Sequence, residues 1–200
     1  CIRDSGKKVT YALSIAPADS NGYLANGIES KEKVHVILNK IKETRDSIVK
    51  SLSGIDYNKI MHAHDWIINN LDYEQNITNN NVYNLYGALI EKSAVCEGYA
   101  EALKYILDEV DIPCVLVSGT ATNSEGKTER HEWNYVQLYG KWYGIDPTWD
   151  DPVIKGTGYV SDSIKHRYFL VGSNEMNKKH FPNGQMTESG KKFVYPTIET

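Results

Sequence analysis

The stretch Val95-Cys-Glu-Gly-Tyr-Ala-Glu-Ala-Leu-Lys-Tyr-Ile-Leu107 places Cys96 at the start of a predicted amphipathic helix. Apolar side chains recur at spacings of three and four, as on the buried face of a helix: Tyr99, Ala100, Leu103, Ile106, Leu107 and Val110. The first turn of a helix favours a thiolate, the nucleophilic form, because unpaired backbone N–H groups carry partial positive charge. We therefore predict that Cys96 is a nucleophile; the alternative is a small buried apolar residue, the usual role of an unpaired cysteine.

A β-hairpin is predicted further along the chain, over residues 131–146. The segment is rich in aromatic and β-branched residues and is interrupted by Gly140. If Tyr139 and Gly140 form a two-residue turn, the numbers of paired residues sum to 279, and a turn one residue later gives 281. Both sums are odd, so His131 and Asp146 project from the same face of the hairpin in either register.

Two carboxylates compete to be the partner that orients His131. Asp146 and Asp150 share the parity that directs a side chain to this face of the hairpin. Proline cannot donate a ladder hydrogen bond, so Pro147 is expected to end regular pairing just after Asp146. We therefore predict a triad of Cys96, His131 and Asp146, in which the carboxylate fixes the imidazole tautomer.

These motifs resemble the transglutaminase-like superfamily, whose members share a papain-like core. The matching stretches are residues 86–89, 94–100, 112–115, 117–119, 131–136, 140–143 and 145–152. The chain is most similar to the bacterial surface-associated branch of the family. The resemblance implies an α+β fold with N-terminal helices packed on an antiparallel β-sheet. It also implies that Cys96 is the nucleophile, His131 the general base and Asp146 the residue that orients the base.

The chemistry implied by the resemblance is attack of the thiolate on a glutamine carboxamide to give a thioester. With a lysine amine as acceptor the enzyme is a protein-glutamine gamma-glutamyltransferase that cross-links proteins; with water it is a deamidase or a cysteine protease. The sequence leaves this choice open, and a non-catalytic surface-binding module is a third alternative. The expected partners are protein or peptide substrates bearing Gln and Lys, and the expected location is secreted or at the cell surface.

Two tyrosines and three tryptophans are candidates for the rest of the site. The family commonly adds a side-chain donor to the nucleophile's own N–H to hold the oxyanion, and the tyrosines upstream of Cys96 that fit this role are Tyr83 and Tyr86. Packing is an equal alternative for Tyr86. The tryptophans near the hairpin exclude water if they line a substrate cleft and stabilise the core if they do not. They are Trp133, Trp142 and Trp149.

No metal or cofactor is predicted. His62 and His64 lie two residues apart in a predicted helix and so point to different faces. His166 is a second candidate general base, but no strand argument places a carboxylate beside it. Calcium is not excluded because some animal relatives use it. No Asp-x-Asp-x-Asp-Gly loop occurs, however, which favours a solvated acidic face for the four candidate aspartates: Asp146, Asp150, Asp151 and Asp162.

The composition excludes two classes of protein. The formal net charge of the 200 residues is −4 and no dense Lys/Arg run occurs, which argues against a nucleic-acid binder. No apolar run approaches the length of about 18 residues that a membrane span needs. The three cysteines show no paired spacing, so no disulfide framework is predicted, and Cys114 is expected to be buried and inert.

We divide the chain into an N-terminal arm, residues 1–30, and a catalytic domain, residues 31–200, whose motif-bearing core is residues 56–172. Helical spacing predicts one helix from a cap at Ser30 to Gly54 and a second from Asp56 to Leu71. Outside the hairpin, strands are predicted at residues 114–119 and 167–171.

Overall fold

The computed structural model of the chain describes residues 31–77, 79–151, 161–183 and 194–200, so the predicted N-terminal arm lies outside the described residues. The α-helices are α1 (Lys31–Ser51), α2 (Asp56–Asn70), α3 (Cys96–Asp108), α4 (Pro147–Asp150), α5 (Asp162–Lys165) and α6 (Ser173–Met176). The strands are β1 (Asp72–Tyr73), β2 (Ser93–Ala94), β3 (Cys114–Thr122), β4 (Thr128–Leu138), β5 (Lys141–Ile145) and β6 (His180–Pro182). A 3₁₀ turn (Asn80–Tyr83) and a π turn (Gly87–Glu91) lie between β1 and β2.

Both predicted N-terminal helices are confirmed. α1 ends at Ser51, and Gly54 follows it with a φ of 86°, a left-handed conformation that glycine adopts without strain. α2 begins at Asp56, as predicted, and ends at Asn70. Among the described residues, none of the helices is both long enough and apolar enough to cross a membrane.

The four-stranded antiparallel sheet has the order β5-β4-β3-β6, and its two faces cover two apolar clusters. Side chains alternate along β4, so Val136 and Leu138 pack with α1, α2 and α3, whereas Trp133 and Tyr135 pack in the second cluster. The predicted buried face of α3 is confirmed, and five of its side chains have no exposed surface: Tyr99, Ala100, Leu103, Ile106 and Leu107. Burying one Leu or Ile contributes about 1.5–3 kcal/mol, so α3 is held firmly against the sheet.

The predicted hairpin register is confirmed by the pairing of β4 with β5. Leu138 pairs with Lys141 and Asn134 with Ile145, which is the register with a two-residue turn at Tyr139 and Gly140. Both turn residues have positive φ, 51° and 79°, as the tight turn between twisted strands requires.

Two expectations about the region after the hairpin are wrong. Residues 167–171 form turns rather than a strand, and only Val171 makes an isolated bridge, with Gly144. The outer strand of the sheet is β6, which pairs with β3. The predicted solvated acidic face is also wrong for Asp146 and Asp150, because both side chains are fully buried.

Candidate active site

Cys96 is the first residue of α3, and its thiol is free and partly exposed. Gly98 lets this first turn approach the preceding chain closely, since a Cβ there would come within 2.8 Å of the carbonyl oxygen of Val82. The glycine therefore allows the start of α3 to pack directly against neighbouring backbone.

His131 and Asp146 form a hydrogen bond across the hairpin, with Nε2 2.7 Å from Oδ2. Burial alone would raise the pKa of Asp146, but the charge of His131 and the hydrogen bonds from His131 and His180 outweigh burial and hold this pKa well below its ordinary value. An ionised carboxylate can only accept, so Nε2 of His131 carries the proton. The basic atom left to take a proton from a thiol is Nδ1.

His131 is a strong base in this setting. Burial lowers its pKa, but the charge and hydrogen bond of Asp146 and the neighbouring Cys96 raise it, so that the pKa is about 10. An imidazole with this pKa retains a proton at neutral pH. His131 is therefore an imidazolium at neutral pH, and a positive charge beside a cysteine favours the thiolate form of its side chain.

Each oxygen of the Asp146 carboxylate has two hydrogen-bond partners, which fix its orientation; those of Oδ2 are the imidazoles of His131 and His180. Oδ1 accepts the backbone N–H groups of Thr148 and Trp149 at 3.1 and 3.2 Å and so caps α4. β5 ends at Ile145, one residue earlier than predicted, because Asp146 has become this helix cap. The rival carboxylate, Asp150, contacts His64 and accepts the backbone N–H of Tyr168, so it is not the partner of the His131 imidazole.

A cleft of about 690 Å³ opens beside Cys96 and His131. Tyr83, one of the two predicted oxyanion donors, lines this cleft, whereas Tyr86 packs against the main core. Tyr73, which the sequence does not single out, lines the cleft as well.

The backbone explains why Tyr73 reaches the nucleophile. β1 and β2 pair in parallel, which places Tyr73 opposite Ala94, two residues before Cys96. Burial and, after it, the charge of Cys96 raise the pKa of Tyr73 to about 12. Its hydroxyl therefore keeps its proton and is able to donate to an oxyanion. A two-residue strand is too short for sequence periodicity to reveal this pairing.

The three tryptophans occupy different environments. Trp133 is fully buried in the second cluster, so of the two alternatives for this tryptophan the structure favours the core over the cleft wall. Trp142 is partly buried and packs against the same cluster. Trp149 is partly buried, stacks on His131 with ring centroids 5.2 Å apart, and lines a second, smaller cavity of about 250 Å³ beside it.

His180 is a buried member of the site that sequence reasoning missed. Its Nε2 lies 2.8 Å from Oδ2 of Asp146, the same oxygen that His131 contacts. β6 brings it there, because His180 pairs with Ala121 on the strand that also carries the partner of His131, Gly119. His180 lies 34 residues from Asp146 along the chain, and no local pattern marks it.

We expect His180→Leu to lower kcat about 10- to 100-fold, because Asp146 loses one of the two donors that hold Oδ2. His180→Gln retains an N–H donor and is expected to recover much of the rate. The measurements are kcat and the rate of Cys96 alkylation by iodoacetamide from pH 5 to 9, and the alkylation rate reports the thiolate rather than the fold. Equal alkylation profiles for the wild type and His180→Leu would show that the histidine only fills space.

His131, Asp146 and His180 are also residue types that bind metals, and their ligand atoms lie close together. All four acceptor positions of Asp146 are occupied, however, and the three side chains are buried. We therefore interpret this cluster as a hydrogen-bonded support for the base rather than a ligand set.

A thiol at a helix start, facing an imidazole and a carboxylate on a sheet, defines the papain-like class of α+β domain. A family model of the transglutaminase-like superfamily matches residues 42–147, just over half of the sequence. The chain belongs to this superfamily, whose members are generally cysteine enzymes acting on protein substrates.

Two curated proteins and one solved structure show the extent of the similarity. Kyphoscoliosis peptidase of Mus musculus is 27% identical over 99 residues, covering 45% of this chain and 15% of that protein. Kyphoscoliosis peptidase of Homo sapiens is 21% identical over 175 residues, covering 79% of this chain and 26% of that protein. The crystal structure of a TGase superposes with a TM-score of 0.51 at 18% identity, over 72% of this chain and 39% of that one.

The chain therefore spans about a quarter or less of the curated relatives it matches. The likeness to the TGase concerns the fold alone, and it agrees with the predicted α+β arrangement of helices on an antiparallel sheet.

Proposed function

We propose that this chain is a thiol-dependent acyltransferase that acts as a protein-glutamine gamma-glutamyltransferase. The observation that carries the proposal is the 2.7 Å hydrogen bond between His131 and the buried Asp146, next to a cleft that contains the Cys96 thiol. This pair leaves Nδ1 of His131 to accept the thiol proton, as nucleophilic catalysis by cysteine requires.

The proposed reaction has two halves. The Cys96 thiolate adds to the carboxamide carbon of a glutamine, and the C–N bond then breaks as the imidazolium of His131 gives its proton to the leaving ammonia. A lysine amine next attacks the thioester and passes a proton to His131, which releases the thiolate and leaves an isopeptide bond. We propose that the backbone N–H of Cys96, with the hydroxyl of Tyr73 or Tyr83, holds the oxyanion in both halves.

Two acidic side chains in the cleft favour an amine as acceptor. Glu97 and Glu132 adjoin Cys96 and His131 in sequence and line the same cleft, together with Arg130. Burial, followed by the charge of Glu97, raises the pKa of Glu132 to about 7. Glu132 therefore becomes negatively charged as the pH rises through neutrality and then attracts a cationic lysine side chain.

This charge predicts how acceptor use depends on pH. We divide kcat/KM of the wild type by kcat/KM of Glu132→Gln, with a cationic primary amine as acceptor. This ratio is expected to rise about tenfold from pH 6 to pH 8, because only the wild type gains a carboxylate in that range. O-methylhydroxylamine, a nucleophile that is uncharged from pH 6 to pH 8, is the control acceptor and should show a constant ratio. A ratio for the amine that does not change with pH would contradict the role of Glu132.

Hydrolysis by the same triad is the second candidate function. The curated relatives are named peptidases, and water in place of the amine converts the thioester chemistry into deamidation or peptide cleavage. A surface-binding module without catalysis is a weaker candidate, because pure binding does not need a histidine whose pKa is raised to about 10. For the transferase we further propose Gln- and Lys-bearing protein substrates and a secreted or cell-surface location.

The test of the proposed function is incubation with a glutamine-containing protein and a labelled primary amine. We expect covalent incorporation of the amine with one ammonia released per amine. Ammonia release without incorporation would replace the transferase by a deamidase, and chain cleavage would replace it by a protease. Absence of all three products, with unreactive Cys96, would favour the binding module.

A further inference from the structure

Two histidines and an aspartate meet at a place separate from the triad. His64 and Asp65 lie in α2, and His166 follows α5 directly. Nδ1 of His64 is 3.2 Å, and Nε2 of His166 is 2.7 Å, from the same oxygen, Oδ1 of Asp65. The three ligand-type atoms all lie within 4.8 Å of one another.

The other nitrogen of each imidazole already faces an acceptor. Nε2 of His64 lies 3.1 Å from Oδ2 of the buried Asp150, and Nδ1 of His166 lies 2.9 Å from the carbonyl oxygen of Asp162. A ring that donates its N–H to that acceptor directs its other nitrogen, the atom that would ligate a metal, at Asp65. Histidines that bind metals show this arrangement, with one nitrogen fixed by a carboxylate or a carbonyl and the other free for the ion.

Electron pairs from two rings and a carboxylate that face one point repel each other, and either protons or a metal ion between them removes this repulsion. The site has a dry side and a wet side, because His64 is fully buried while the side chains of Asp65 and His166 are 36% and 25% exposed. An ion therefore has a path from solvent. Metal–ligand distances of about 2.0–2.2 Å require Nε2 of His166 to move away from Oδ1 of Asp65, which lies 2.7 Å from it, and both of these side chains are partly exposed.

We propose that His64, Asp65 and His166 form a binding site for a divalent metal ion of the zinc type, with a fourth position open to water. Two imidazoles and one carboxylate suit Zn²⁺, whereas Ca²⁺ and Mg²⁺ prefer oxygen ligands. The ion joins α2 to the segment after α5. Through Asp150 it also supports α4, the short helix whose cap is the proposed catalytic carboxylate.

The sequence did not predict this site because the contributing residues are far apart in the chain. The spacing argument against His62 and His64 as a pair is correct: His62 is exposed and His64 is buried. The second histidine comes instead from a segment about a hundred residues later, 101 positions after Asp65.

The test is a calorimetric titration with ZnCl₂ of the full chain carrying Cys96→Ala, which removes the catalytic thiol as a competing ligand. We expect saturable 1:1 binding and a rise in Tm of about 5 °C when Zn²⁺ is at about 100 times its Kd. His166→Gln and Asp65→Asn are each expected to weaken binding at least about 100-fold. His62→Gln, an exposed histidine of the same helix, is the matched control and should leave the Kd unchanged.

Spectroscopy and competing ions complete the test. Co²⁺ in place of Zn²⁺ is expected to show visible bands of tetrahedral nitrogen and oxygen coordination without thiolate charge transfer, and CaCl₂ and MgCl₂ should give no saturable heat. Two results would overturn the proposal: no saturable Zn²⁺ binding below about 100 μM, a weak limit on the affinity scale, or binding that His166→Gln and Asp65→Asn leave intact. The absence of saturable Zn²⁺ binding would mean that hydrogen bonds alone connect the two histidines to Asp65.

Discussion

Cys96→Ala is expected to abolish acyl transfer, with a fall in kcat of at least about 10⁴-fold, while the domain stays folded. Sγ is the atom that forms the thioester, and no other group in the described part of the cleft can replace it. The other described thiol, Cys114, is buried at the start of β3, where burial raises its pKa far above neutrality. The loss of one partly exposed sulfur is expected to shift Tm by only a few degrees.

Cys114→Ala is the matched control, since it makes the same chemical change at a buried position. It removes the sulfur that accepts an N–H from Asn134 at 3.4 Å, so we expect some loss of stability and nearly full turnover. Amine incorporation and iodoacetamide labelling, with circular dichroism for the fold, are measured on both variants. Persistent incorporation by Cys96→Ala would refute the thioester mechanism.

The features that could be predicted from sequence depend on local rules. The tight turn at Tyr139 and Gly140 fixes the hairpin register, and the period of two then puts His131 and Asp146 on one face. The start of α3 at Cys96 follows in the same way from apolar spacing. These two local predictions position the thiol on one element and its two partners on another, although neither shows by itself that the elements meet.

The features that could not be predicted depend on contacts between distant segments. His180 reaches Asp146 only because β6 pairs with β3, and Tyr73 reaches the cleft only through a two-residue parallel pairing. The burial of Trp133 depends on what covers the second face of the sheet, including Tyr168 and Met176, whose placement no periodicity gives. Local patterns thus indicate the reacting groups, and tertiary pairing supplies the groups that support them.

Asp146→Asn is expected to lower kcat about 10⁴-fold with little change in the fold, because it misorients His131. One carboxylate oxygen accepts from His131 and His180, and the other accepts the backbone N–H groups of Thr148 and Trp149. An amide has one acceptor oxygen and one NH₂ donor. In either orientation of the amide side chain in Asp146→Asn, the NH₂ group therefore faces two N–H donors, either the imidazoles or the two backbone groups. If it faces the imidazoles, His131 must carry its proton on Nδ1 and cannot accept the proton of the thiol.

Asp150→Asn is the matched control, because it makes the same change in a second buried aspartate four residues later. Asp150 accepts from His64 and from the backbone N–H of Tyr168, so its replacement is expected to cost stability and to leave kcat within about tenfold of wild type. Alkylation of Cys96 at pH 6 to 7 separates the two roles, since it needs the thiolate–imidazolium pair but no acyl donor. We expect Asp146→Asn to lose this rapid alkylation and Asp150→Asn to keep it. The reverse order would make Asp150 the orienting carboxylate and would show that the proline-based choice between them is wrong.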